Sequence, residues 1–81
     1  MFKTDMMGNK RFYVKGNVDD AKRFTIDLTW YHSALAKVAS VNDNGDKITL
    51  NLIVRDDADE MDEQRLIRMA EQFNLIGFTS F

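Results

Sequence analysis

The chain predicts a two-layer α+β domain: an antiparallel β-meander of three to four strands, one face covered by a single C-terminal helix at about 57–73. Three observations predict it. Residues 48–54 alternate apolar and polar behind an Asp43-Asn44-Gly45-Asp46 turn signal, which marks the second arm of a hairpin. Residues 57–73 then switch to helical spacing, with Leu66, Met69, Ala70 and Phe73 on one stripe. The segments 11–15 and 24–30 each alternate at period two, as half-buried strands do.

In order, residues 1–9 hold three Met and one Gly without a period and read as a flexible N-terminal arm. In the first strand Phe12 and Val14 point one way, and Arg11, Tyr13 and Lys15 the other. Gly16-Asn17 ends it, and residues 18–21 carry a turn. Phe24, Ile26, Leu28 and Trp30 alternate with Thr25, Asp27 and Thr29, which predicts a second strand with its aromatic and aliphatic side chains buried. Residues 30–39 fit both a short helix and a bend followed by a strand. The turn signal at 43–46 needs a strand before it, so the bend is preferred.

The hairpin register follows from charge. A two-residue Asn44-Gly45 turn would oppose Asp43 to Asp46 and aim Lys37 at the core. A three-residue Asp43-Asn44-Gly45 turn avoids both, with Gly45 left-handed, and sets Val38 and Ala36 opposite Leu50 and Leu52. It leaves Leu35, Val41 and Ile53 on the second face. In the helix, Asp57 and Glu60 have capping-box spacing, so Asp57 is the expected N-cap. Asn74 fits the C-terminal end, and residues 75–81 a short final strand or an edge-covering tail. The uncovered face should carry Arg11, Tyr13, Lys15, Thr25 and Thr29.

An 81-residue chain makes one domain, here spanning 1–81, and buries roughly 60–65% of its unfolded surface. Its 44% hydrophobic and 30% charged residues exclude a disordered segment. No cysteine is present, which excludes a disulfide scaffold, a thiolate zinc site and a cysteine nucleophile. Neither a membrane-length apolar run nor a signal-peptide core occurs, so the expected location is cytoplasmic, with no membrane partner. Charge is divided unevenly. Residues 1–40 carry seven Lys/Arg against four Asp, and residues 41–81 carry four against nine Asp/Glu, within a total of −2. Such a dipole can orient a partner, although small chains often divide charge unevenly without function.

Chemistry is thinly marked. His32 is the single histidine, so a metal site would need carboxylates as its other ligands. The acidic run 56–63 lacks the glycine of a calcium loop and reads as a helix start complementing the dipole. No phosphate-cradling loop or nucleophile elbow is present. The expectation is a non-enzymatic protein without catalytic, metal or cofactor residues. It is a protein-binding accessory module, of the adaptor or inhibitor kind that phages often encode. It docks on another protein or on a second copy of itself through the open sheet face, a free edge strand or the acidic helix start. The candidate partner-binding residues are Arg11, Tyr13, Lys15, Tyr31, Asp59, Glu60, Asp62 and Glu63. The alternative is a single-stranded nucleic-acid module using the basic and aromatic N-terminal strands.

Overall fold

The computed structural model describes residues 2–79. The elements run β1 (Lys3–Thr4), β2 (Lys10–Gly16), α1 (Val18–Tyr31), β3 (Ala36–Asp43), β4 (Ile48–Val54), α2 (Glu60–Gln72) and β5 (Ile76–Phe78). They build one five-stranded antiparallel sheet in the order β1-β2-β4-β3, with β5 also on β2. The α+β class and the antiparallel sheet match the sequence reading, but there are two helices. β2 and β3 both run antiparallel to β4, which lies between them, so α1 crosses over a split β-α-β unit. The connectivity from β2 to β5 is that of ferredoxin-like folds, with β1 as an added edge piece.

The largest correction concerns residues 24–30, which are helix and not strand. Phe24 and Leu28 are four apart, a spacing that satisfies period two and period 3.6 alike. Ala21 completes a helical stripe, and Ala21, Phe24 and Leu28 are the buried residues of α1. The Asn17 side chain accepts from the Asp20 amide and caps the helix, so residues 18–21 are its first turn. Ile26 and Trp30, expected in the core, are exposed. Thr25 and Thr29 therefore leave the sheet face; Thr25 instead donates to the Ala21 carbonyl.

Both helices cover the same side of the sheet. The Phe24 ring meets Phe73 edge-on at 6.1 Å, joining α1 to the end of α2. At Gly77 an added Cβ would stand 2.6 Å from Phe12 and 3.4 Å from the Ala70 Cβ, so α2, β2 and β5 meet too closely there for any side chain. Phe12, Val14, Leu50, Leu52 and Val54 form the sheet's half of the core, with Leu66, Met69 and Ala70 above them from α2.

The hairpin is confirmed with a shifted register. Ala36 faces Val54 and Val38 faces Leu52, two residues from the expected partners. The loop has four residues, Asn44–Lys47. It is held by the Asn44 amide donating to the Lys47 carbonyl and by the Gly45 amide donating to the Asp43 carboxylate. Gly45 is left-handed as expected, at φ +92°. A bulge at Ala39 moves Val41 to the covered side opposite Leu50 and sends Ser40 and Asn42 outward. Lys37 does point away from the core, and Leu35 is buried.

At α2 the N-cap is Asp59, not Asp57, in a capping box with Asp62. Asn74 follows the helix with φ +60°, the left-handed ending expected of it. The first nine residues are not simply an arm: Lys3–Thr4 pairs with β2, and Phe2 packs edge-on to Phe12 at 6.3 Å. In the tail, residues 76–78 form the final strand, whereas Phe81 lies outside the described residues.

The two readings of residues 24–30 separate by mutation. Leu28→Ala should cost about 2–5 kcal/mol and Trp30→Ala less than about 0.5 kcal/mol, measured by urea unfolding. Comparable large losses from both would restore the strand.

Candidate interaction surfaces

Three surfaces emerge. The first is the helix-free side of the sheet. Strand parity and register arrange its residues in three rows across the strands. One row is Lys3, Arg11, Ile53 and Lys37. The next is Phe78, Tyr13, Asn51 and Ser40. The last is Ile76, Lys15, Thr49 and Asn42. Tyr13 and Phe78 stack at 5.5 Å with 22° between their planes. The Asn51 Nδ2 donates to Ser40 Oγ at 2.7 Å. None of the described strand residues on this face is acidic. The Asp5 carboxylate accepts from the Arg11 Nε at 2.7 Å and from the Met7 and Asn9 amides. The Asn9 amide is the largest cause holding the Asp5 carboxyl below its ordinary value, with Arg11 and Met7 adding to it.

The second surface borders β3, which is an edge of the sheet. A groove of about 320 Å³ runs between α1 and this edge, lined by Ala21, Thr25, Ile26, Val41, Ile48 and Leu50. Ile26 is 59% exposed, Val41 53% and Trp30 77%. Ile26 and Trp30 stand one helical turn apart with Lys22 before them, so the strip on α1 continues the groove wall. A second hollow of about 500 Å³ lies at the start of β3, between Ala36–Val38 and Ile53–Arg55.

The third is the acidic start of α2. Asp59 accepts from the Met61 and Asp62 amides, and Asp62 accepts from the Asp59 amide. Asp62 is buried and also pairs with Arg55 and Arg65. Asp57 pairs with Arg55 as well. These carboxylates hold the helix start in place. Glu60 is exposed and Glu63 half-buried.

Of the sequence candidates, Arg11, Tyr13 and Lys15 come together on the helix-free face. Tyr31 is exposed at the end of α1, and Asp59, Glu60, Asp62 and Glu63 sit apart from both at the α2 start. Ile26 and Trp30 were not anticipated as surface residues, and Val41, expected on the uncovered face, is exposed on the helix side instead. The i, i+4 spacing of Lys22, Ile26 and Trp30 is the signal that finds the two α1 residues once 18–31 are read as helix. Phe78 lies in the segment 75–81, for which the sequence offers only a short final strand or an edge-covering tail.

His32 closes α1, its amide donating to the Leu28 carbonyl, and its ring stands 3.8 Å from Asp27. Among the described residues no three His, Asp or Glu side chains gather as a metal site. No described helix is long and apolar enough to cross a membrane. Comparison with protein-family models, with curated proteins and with solved structures finds no match.

If the acidic start of α2 is structural, Asp59→Ala should lower stability by about 1 kcal/mol and Glu60→Ala by less than about 0.5 kcal/mol, read from denaturant midpoints at pH 7. Equal, negligible effects would release the cluster for another role.

Proposed function

We propose that this chain is a small non-enzymatic protein-binding module, of the adaptor or inhibitor type, that docks through the β3 edge and the apolar strip beside it. One observation carries the reading. Ile26 and Val41, large apolar side chains more than half exposed, line one groove beside the β3 edge, which no other described strand pairs, and the exposed Trp30 stands one helical turn beyond Ile26. Single exposed apolar residues are ordinary on a protein surface. An apolar groove at a sheet edge, with a tryptophan one helical turn along its wall, is the kind of feature that marks docking sites. An edge strand offers backbone donors and acceptors to an extended segment of a partner, and hollows on either side receive its alternate side chains. The bulge at Ala39 interrupts this edge, so a docking strand engages 36–38 or 40–43 and not the whole length. The partner is another protein or a second copy of this chain.

The acidic α2 start takes a lesser place than the sequence suggested. Reversing Asp59 and Asp62 would remove the helix cap along with any docking charge. The informative variant is Ile26→Asp/Trp30→Ala. Sedimentation and affinity capture with immobilised protein should both respond: self-association or the captured species should weaken at least tenfold, with the melting temperature unchanged. An identical oligomeric state and an identical captured set for variant and parent would refute docking through this strip.

A further inference from the structure

We propose that two copies of this chain pair through β3, edge to edge and antiparallel, about a two-fold axis at Asn42. This rests on the docking reading above and names its partner. The Asn44 amide donates to the Lys47 carbonyl at one end of the hairpin, and the Arg55 amide to the Leu35 carbonyl at the other. Antiparallel strands alternate between residue pairs that exchange backbone bonds and pairs that do not. With the observed register, Lys37, Ser40 and Asn42 are therefore bonded to β4. The N–H and C=O groups of Ala36, Val38, Val41 and Asp43 point to the open side, ready for another strand. Residues 39–43 are all exposed.

A two-fold pairing requires the strand to complement itself. An axis at Lys37 or at Asp43 would set like charges directly opposite each other. Axes at Val38, Ser40 or Val41 would draw the bulged Ala39 into the pairing, and an axis at Ala36 would run into the turn at 33–35. An axis at Asn42 avoids all three. It sets Asn42 against the partner's Asn42, whose side-chain amides can bond each other, and Val41 against the partner's Asp43. Both of these carry outward-facing backbone groups, so each Val41–Asp43 pair exchanges two backbone bonds. Val41 faces Leu50 and Asp43 faces Ile48, so both side chains lie on the helix side. The partner's Asp43 thus comes beside Val41, over the groove whose wall carries Lys22, Ile26 and Ile48. Lys22 is exposed and makes no ion pair among the described residues. The Asp43 carboxylate accepts from the Gly45 amide through one oxygen, which leaves the other for a cation. A foreign strand would have to supply an acid at this position, whereas this chain carries its own. The contact occurs once on each side of the axis, and between the two the grooves meet and cover Ile26 and Val41 of both copies.

The test is sedimentation equilibrium of the purified chain over about 1–500 µM, where it should form a concentration-dependent dimer. Lys22→Glu and Asp43→Lys should each weaken self-association about tenfold or more, because each brings like charges together twice. Mixed in equal amounts, the two variants should dimerise again, since both contacts of the mixed pair are once more of opposite sign. Circular dichroism of each variant should match the parent. Asp43→Asn, which keeps an acceptor for the Gly45 amide, should still weaken the dimer about threefold or more. A chain that stays monomeric at every concentration would overturn the inference. So would a mixture no more associated than its separate components, or indifference to all three substitutions. Docking at the edge is judged separately. If the monomeric parent captures a different protein and Ile26→Asp/Trp30→Ala loses it, the second copy is refuted and the docking strip stands.

Discussion

Pairing of β4 between β2 and β3 is the constraint on which the rest of the structure depends. Seven β4 residues register with β2, and the same strand runs the length of β3. The side-chain period of a strand is two, so fixing this register decides the destination of every neighbouring residue. Leu50, Leu52 and Val54 go beneath the helices with Phe12 and Val14. Thr49, Asn51 and Ile53 go to the other side with Arg11, Tyr13 and Lys15. The bulge at Ala39 is part of the same logic. It restores Val41 to the covered side after the alternation of β3 would have lost it.

From this one-sidedness come two surfaces of different chemistry. The helix side closes over an apolar core but stops short of the β3 edge, where Ile26 and Val41 line a groove open to solvent. The other side is aromatic at its middle and basic around it. The many acids of the chain are elsewhere. Several of those at the α2 start are held in a capping box and in ion pairs with Arg55 and Arg65. Split β-α-β topologies host many unrelated functions, so the fold does not choose between these surfaces, and docking is argued from the residues of the β3 edge.

The legible parts of the sequence were those with only one physical solution. Residues 48–54 admit no helical stripe, and 60–73 admit no alternation, so the hairpin and α2 were legible as elements, though not the hairpin's register and loop length or the helix's N-cap. Phe24 and Leu28 satisfy both periods, and the β-favouring aromatics tipped the reading towards a strand. The Asn17 cap three residues before Asp20 was the counter-signal. The α2 cap was ambiguous because Asp57…Glu60 and Asp59…Asp62 have the same spacing. Tyr13 was legible as a surface aromatic from β2 alone. Its partner Phe78 was not, because their stacking depends on β5 returning to the edge of β2 from the far end of the chain. The α1 strip was hidden by the same error that turned the helix into a strand.

The central claim is that β4 lies between β2 and β3 while residues 18–31 form the crossover helix. Backbone NMR tests it most directly. The account predicts cross-strand contacts that link Phe12 with Leu52 and Val38 with Leu52, together with helical i, i+3 contacts through 18–31. Cross-strand contacts between residues 10–16 and 24–30, as a meander would give, would contradict the topology and both surfaces derived from it.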